Sequence, residues 1–476
     1  MLRSILATLK PIGKSQIFWC TLGAIICLVW MGTLKQTQSP DYADASEYIG
    51  SAINIAKHGV VNDNLQGAKA VMPSISREPG YPFLLSLVLQ LDDSINKISP
   101  DCLYQNGCGT APYVLGKWTN RLLIVAAGLV MFFAVRSITG SPFAAVVGGM
   151  HIWLNHQAHK NHDYMISDPL ALFLASLLVM AIAWAWRKQN PIAWVFPGAT
   201  FVWLAFTKAI YIYLLPIALL AGLILVVLSK SARRSSLVKL VVFTTIVTTP
   251  IALWMDRNHD ISGDYQFTNN RGGIALSTRV VFNDMDLVDY LAAFTYWTRG
   301  AGDGWAEDLF PAEVVKPFGW YEKDGYYLRG QLGFGERVSE LVANEGLSSV
   351  EASDKAEQEL KDAILSRPIK HIVTTLPLIY RGIWIDEFAV ITFPAFIALL
   401  VYALRRRQAL LIAVLLPSLF SLVFYAAFSL NLARYQMTAL PGFAIAFAFF
   451  ALWARKRIGD WREKRRPASA EGEDNV

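Results

Sequence analysis

The chain has 476 residues, 54% of them hydrophobic and 17% charged, and its mean hydropathy is positive. Apolar runs longer than a globular core helix needs exclude a soluble protein and point to a bilayer. The formal net charge of +6 would suit nucleic acid, but the Lys and Arg residues gather in short segments between apolar runs, the positive-inside pattern of membrane proteins, so no nucleic-acid partner is expected.

In chain order the apolar runs fall at 17–34, 119–135, 142–155, 169–186, 191–206, 210–229, 237–255, 385–404, 409–428 and 437–453. They predict an all-α polytopic protein with about ten transmembrane helices, since about 20 apolar residues cross the hydrocarbon. The third run is the weakest, because it is short and Gly148, Gly149 and His151 dilute it. The basic start followed by an apolar run also fits a signal peptide. Its length, and the lack of a small-residue cleavage site after Leu34, favour an uncleaved anchor.

With the N-terminus cytoplasmic, Arg136, Arg187, Lys188, Lys230, Arg233, Arg234, Lys239, Arg405, Arg406, Arg407 and the basic tail from Arg455 fall on one side. The other side receives the stretches 33–113 and 256–384 and three short turns around Lys160, Lys208 and Arg434. The expected division is an N-terminal membrane module (1–255) with a catalytic first loop (35–112), a loop region (256–384), C-terminal helices (385–456) and a cytoplasmic tail (457–476). The last residues, PASAEGEDNV, have the composition of a disordered segment.

The first loop delivers Asp41 and Asp44 to the mouth of the first span and carries Arg77 ahead of a Pro79-Gly80-Tyr81-Pro82 turn. Acids at a membrane surface near a cation suit chemistry on a phosphate-bearing lipid. Between them Tyr48, Ile49, Ala52, Ile53 and Ala56 keep helical spacing and Gly59 suits a C-cap, predicting an interfacial helix with Asp44 at its start. A carboxylate there caps a helix as readily as it does chemistry, and both readings stand. The run Tyr81 to Leu91, too short to span, predicts a second interfacial helix.

Cys20 and Cys27 lie in the first span as inert apolar side chains. Cys102 and Cys108 fall in the first loop and, on an oxidising side, can close a small ring. His156, His159 and His162 recur every three residues beside Asp163. They are read either as ligands of a divalent metal or as a polar cap that donates to a lipid phosphate. No cofactor is otherwise required. Asp168 is a candidate second acid or the N-cap of the fourth span.

The stretch 256–384 is too polar to span and too long to be structureless. Ser348 and Glu351 form a capping box ahead of Ala352, Ala356, Leu360, Ala363 and Ile364, and the helix ends at Arg367-Pro368. Aromatics and glycines crowd 296–334.

Asp44 with Tyr48 four residues on, followed by Arg77-Glu78-Pro79-Gly80-Tyr81-Pro82, resembles the first loop of the GT-C membrane glycosyltransferases. It resembles in particular the protein mannosyltransferase and lipid A aminoarabinose transferase relatives, glycosyltransferase families 39 and 83. Ser167-Asp168-Pro169-Leu170, then Pro250 with Asp256-Arg257-Asn258, Arg271-Gly272-Gly273, and Arg434-Tyr435 with Pro441 follow in the order such relatives show. The chain departs from the pattern with Asp44-Ala45 where many have Asp-Glu, and Arg77-Glu78-Pro79 where many have Lys-Pro-Pro, so the resemblance does not carry over a donor sugar.

The resemblance implies transfer of a sugar, with inversion, from a polyprenyl-phosphate donor lipid to an extracytoplasmic acceptor, at the periplasmic or extracellular face of a bacterial inner membrane. Asp44 stands where the general base would be, with Asp41 as its neighbour and Asp168 as a second acid. Arg77, Lys208, Arg257, Arg271, Arg434 and Tyr435 would hold the donor phosphate, and Tyr48 and Tyr81 would contact acceptor or sugar. The rival reading is a transporter or flippase of a lipid-linked sugar, for which midplane charges and repeated halves are the usual signs. Here charge gathers at one face and no repeat is visible. Engineered cysteines at Ser348 and Ser469 should react with an impermeant thiol reagent from opposite sides of the membrane; labelling from one side refutes this topology.

Overall fold

The computed structural model describes residues 13–34, 44–63, 72–91, 111–228, 233–268 and 271–464, and among them every regular element is helical. Asp41, Cys102 and Cys108 lie outside the described residues. The chain begins with α1 (Lys14–Thr33), followed by α2 (Ala45–His58) and α3 (Gly80–Leu89), which pack on each other. Next come α4 (Ala111–Thr139), α5 (Pro142–Trp153), the short α6 (His156–Asn161), α7 (Asp168–Lys188), α8 (Val195–Thr207), α9 (Tyr211–Leu228) and α10 (Arg233–Ser262). A second set comprises α11 (Arg271–Val281), α12 (Leu287–Tyr296), α13 (Gly302–Leu309), α14 (Ala312–Val315), α15 (Tyr326–Glu345), α16 (Ser349–Ser366) and α17 (Pro368–Ile383). The chain then runs through α18 (Ala389–Arg405), α19 (Ala409–Phe428), a 3-10 segment (Ala433–Ala439) and α20 (Leu440–Lys464).

Each of the ten expected spans is helical. Among the described residues seven helices are long and apolar enough to cross a membrane, while α5, α8 with its 3-10 lead (Pro191–Thr207) and α18 are apolar but shorter. The protein is therefore a multi-pass, all-α membrane protein. The boundary expected at Asp256 is passed by α10, which runs on to Ser262.

The innermost helix is α7, which packs against α4, α8, α19, α20 and the 3-10 segment. Its sequence explains the placement: Pro169 sits in the first turn, where no intrahelical donor is lost, and consecutive residues from Leu170 to Leu172 and from Leu174 to Ser176 are all buried. The residues that dilute the hydropathy of α5 are the ones that let it pack. A Cβ added at Gly149 would lie 3.2 Å from the Gly128 carbonyl oxygen, and one at Gly148 would lie 2.7 Å from Val135 Cγ2. Close approach of small residues holds membrane helices together where no hydrophobic drive separates helix from lipid. His151, on the same helix, is fully buried with its Nε2 3.2 Å from the equally buried Asp386 Oδ2.

Within 256–384 the capping box forms as expected. Ser348 Oγ accepts from the Glu351 N–H at 3.3 Å and Glu351 Oε2 accepts from the Ser348 N–H at 2.9 Å. The face that carries Ala352 and Ala356 packs with Phe334 and Leu341 of α15.

This set of helices is fastened to the end of α19 by a buried guanidinium and a buried imidazole. Arg279 has no solvent exposure; it donates from Nε to the Ala426 carbonyl at 2.8 Å, from Nη1 to Asn283 Oδ1 at 2.8 Å, and from Nη2 to the His371 carbonyl at 2.7 Å and Thr375 Oγ1 at 3.0 Å. No acid pairs with it among the described residues, and burial pulls its pKa down to about 9. His371 lies 2.9 Å from the Ala427 carbonyl through Nε2, and burial together with Arg279 lowers its pKa to about 4. The last carbonyls of a helix lack intrahelical donors and carry negative dipole, so the Arg279 guanidinium serves both needs while the neutral His371 ring supplies a donor. Replacing Arg279 with Met keeps the stem and strands these acceptors. The expected cost is roughly 2–4 kcal/mol, visible as a lower unfolding midpoint of the purified protein, and an unchanged midpoint would show that the latch holds nothing.

Candidate active site

The start of α2, the segment before α3, the start of α7, the end of α8 and the 3-10 segment before α20 meet at one end of the bundle. Arg77 is the hinge of this meeting. It is 4% exposed; its Nη2 lies 2.7 Å from Asp44 Oδ1, its Nε donates to Glu47 Oε2, and its guanidinium stands 5.0 Å over the Tyr48 ring. Burial opposes its charge, but Tyr48, Glu47 and Asp44 outweigh that and raise its pKa.

Asp44 precedes the first turn of α2, yet its carboxylate makes no capping hydrogen bond to the helix. Its second oxygen instead faces Arg434 Nη2 at 4.0 Å, and its side chain keeps 34% of its exposure. Arg434 stands 5.2 Å over the Tyr435 ring, which stacks on Tyr425 at 5.1 Å. A buried polar network holds this turn in place. Gln436 Nε2 donates to Asn431 Oδ1 at 2.6 Å and to the Ser421 carbonyl at 3.1 Å, and Asn431 Nδ2 donates to the Leu378 carbonyl at 2.8 Å. Asn431 adopts a left-handed backbone, φ 50°, which Asn tolerates better than most residues.

Asp168 opens α7 without capping it, and Lys208, just after α8, donates from Nζ to its Oδ1 at 3.1 Å. Asp168 is almost fully buried. Burial opposes the charge of Lys208, but Asp168 and the phenols of Tyr425 and Tyr48 outweigh it and raise the pKa.

The structure thus gathers Asp44, Arg77, Arg434 and Tyr435 on one side and Asp168 with Lys208 on the other, linked through the Tyr48 hydroxyl, 3.1 Å from Ser167 Oγ. It does not offer Tyr48 or Tyr81 as open contacts. Both are buried, their rings 5.4 Å apart and edge to face, and the Tyr81 hydroxyl donates to Asn120 Oδ1 at 3.1 Å. Arg257 is used elsewhere: it donates to the Ser74 carbonyl at 3.0 Å and to Asn258 Oδ1 at 2.8 Å, over the Trp254 ring. It thereby ties α10 to the segment leading to Arg77. Arg271 begins α11, with its side chain outside the described residues.

The three histidines do not converge. His159 Nε2 lies 3.5 Å from Cys27 Sγ with its ring edge-on to Trp30, while His162 Nε2 lies 3.3 Å from Arg121 Nη2. Among the described residues no group of three His, Cys, Asp or Glu side chains could hold a metal. Asp44 faces two guanidiniums and Asp168 an ammonium, so a divalent cation set between the described acids would meet positive charge on both sides.

Two contributors were not singled out from sequence. Glu47 lies three residues after Asp44 on a predicted helix, so its shared face was readable from spacing. Tyr425 is far from the site in sequence and carries no local signal.

No protein-family model matches the chain, and no curated protein sequence matches it. Among solved structures, the apo oligosaccharyltransferase of Archaeoglobus fulgidus aligns over 94% of this chain and 52% of its own, with 12% identity and a TM-score of 0.53. The same enzyme in complex with Zn and sulfate aligns over 92% and 50%, with 11% identity and a TM-score of 0.46. ArnT from Cupriavidus metallidurans bound to undecaprenyl phosphate aligns over 93% and 78%, with 14% identity and a TM-score of 0.36. The chain spans about half the length of the oligosaccharyltransferase. At 12% identity the first of these likenesses shows a fold shared with that oligosaccharyltransferase.

Arg77→Lys retains charge but cannot reach Asp44 and Glu47 together while covering Tyr48. A loss of roughly 1–3 kcal/mol is expected, discounted from the cost of breaking a fully buried pair because both acids are partly exposed. Thermal unfolding of the purified variant against wild type measures it, and equal stability would remove Arg77 from its central place.

Proposed function

We propose that the chain is an inverting glycosyltransferase that moves a sugar from a polyprenyl-phosphate-linked donor to the hydroxyl of an extracytoplasmic acceptor, in a bacterial inner membrane. The observation that carries this reading is the carboxylate of Asp44, a third exposed and flanked by Arg77 and Arg434 at one end of an apolar bundle. The likeness in fold to an oligosaccharyltransferase is consistent with sugar transfer.

In the proposed step the acceptor oxygen attacks the anomeric carbon and its proton passes to a carboxylate oxygen of Asp44. The bond between that carbon and the phosphate oxygen breaks, and the electron pair leaves with the phosphate. The departing oxygen gathers negative charge, which fixed cations stabilise without reorganising. Arg434 suits that task best. Its contact with Asp44 is the long one, its side chain keeps a fifth of its exposure, and its planar fork matches two phosphate oxygens. Lys208 supplies a second charge. Arg77 is too enclosed to take a ligand and instead fixes the direction of the Asp44 carboxylate. Asp168, buried against Lys208, positions that ammonium and acts as the second acid of the site without reaching solvent.

Asp44→Asn keeps size and a hydrogen-bond acceptor but cannot accept the proton, so turnover should fall roughly a hundredfold or more. Stability should fall by roughly 1–2 kcal/mol, because Arg77 loses one of its two carboxylate partners while Glu47 remains. The measurement is transfer of labelled sugar by purified variants in nanodiscs. Wild-type turnover in Asp44→Asn together with loss in Asp168→Asn would reassign the base, and activity retained in both would remove carboxylate catalysis from this site.

A further inference from the structure

Helix α17 belongs to the stretch that is too polar to span a membrane, yet one of its faces is bare and apolar. Ile369, Ile372 and Leu376, spaced as i, i+3 and i+7, are each more than half exposed, while His371, Thr374 and Leu378 on the opposite face are buried. Lys370 does not break the stripe. Its Nζ turns aside to donate to the Met285 carbonyl and stands 5.1 Å over the Tyr290 ring. A contiguous apolar stripe left open on a folded region marks a surface that binds something.

Hydrogen bonds fix the level at which the stripe sits. His371 Nε2 lies 2.9 Å from the Ala427 carbonyl, the Leu378 carbonyl accepts from Asn431 Nδ2 at 2.8 Å, and Arg381 Nη1 donates to the Leu430 carbonyl at 3.2 Å. From His371 to Arg381 the helix covers about 15 Å, and throughout that length it stays beside residues 427 to 431. A helix running along α19 would pass about ten of its residues over the same distance. Instead α17 lies across the end of α19, a 20-residue apolar span, and so at the edge of the hydrocarbon. Beyond residues 384–388 the chain enters α18, an apolar helix that begins with Val390 largely exposed.

The neighbouring α12 repeats the pattern. It is held against α17 by the Tyr290 hydroxyl, 2.8 Å from Thr374 Oγ1, and by Phe294, edge to face with Tyr380 at 5.1 Å. Leu287 and Leu291 are more than half exposed and Phe294 is 37% exposed, spaced as i, i+4 and i+7. Two adjoining amphipathic helices thus leave apolar stripes open where a span ends.

We infer that α12 and α17 bind a lipid surface, with these stripes set among the acyl chains at the bilayer boundary and the opposite faces packed on protein. The second set of helices then rests on the membrane rather than standing free in water. A soluble partner would have to reach the edge of the hydrocarbon to cover the stripes, where lipid is already present. Residues 427 to 431 lead into the 3-10 segment that carries Arg434, so the lipid contact lies close in the chain to the candidate site. This inference goes beyond the proposed transfer reaction and does not depend on it.

The test uses the full-length protein in phosphatidylcholine nanodiscs that contain a lipid with a photoactivatable diazirine in its acyl chain, with adducts mapped by peptide mass spectrometry. Wild type should carry adducts within 287–294 and 369–376 and none within 349–366, the polar helix α16 of the same region. Ile372→Glu combined with Leu291→Glu should reduce those adducts roughly tenfold, because a carboxylate is disfavoured among acyl chains. Both side chains are exposed, so the unfolding midpoint in detergent should not move. Should the double variant fold poorly, the wild-type map decides alone. Adducts absent from 287–294 and 369–376, adducts there no more abundant than on α16, or an unaltered map in a folded double variant overturns the membrane seating. Protein crosslinks that join two copies through these stripes in place of lipid adducts overturn it as well, and assign the surface to a second copy. None of these results bears on Asp44, which the transfer assay tests.

Discussion

The structure depends on a guanidinium taken almost out of water at a bundle end. Arg77 cannot be buried alone, because an unpaired charge there costs several kcal/mol. It therefore fixes Asp44 and Glu47 on one face of α2 and holds the face of Tyr48. On these helices Tyr48, Tyr81 and Leu85 join the main core. Charge pairing and apolar burial thus act on the same two short helices, and the site follows from their agreement.

A second constraint works from the opposite direction. The end of α19 has carbonyls with no helical donors, and the helices of 256–384 supply Arg279, His371 and Arg381 to that region. The residues just beyond, Ser429 to Asn431, lead into the segment that carries Arg434. The helices of 256–384 thereby reach the bundle end at which Arg434 approaches Asp44.

Buried polar groups within the bundle follow the same economy of pairing. His151 meets Asp386, and Asn155 donates to the Ile385 carbonyl and to Glu387, so the loop ahead of α18 is tied to the end of α5. Arg299 reaches Glu387 at 3.0 Å from the second set of helices. These contacts join the end of α5, the loop ahead of α18 and the second set of helices.

The sequence by itself determined the class of protein, the helical content, the positions of the spans and the capped helix at 349–366. Each of these follows from local composition or spacing, which hydropathy and capping chemistry fix without reference to distant residues. It also marked Lys208 and Arg434 as charges in short turns between apolar runs, and Asp44 and Arg77 as an acid and a cation of the first loop. Pairing among them was decided only by tertiary structure: Asp44 with Arg77 and Arg434 rather than with the helix it begins, Asp168 with Lys208, and Arg257 with the Ser74 carbonyl. The same is true of Tyr48 and Tyr81, whose alternation of ring and hydroxyl suits either a ligand or a core, and which became core when α2 packed on α3. The histidine repeat shows the reason most clearly. Three residues of spacing place side chains on neighbouring faces of a helix, but α6 ends at Asn161, and His159 and His162 turn to partners on α1 and α4 that no local pattern can name.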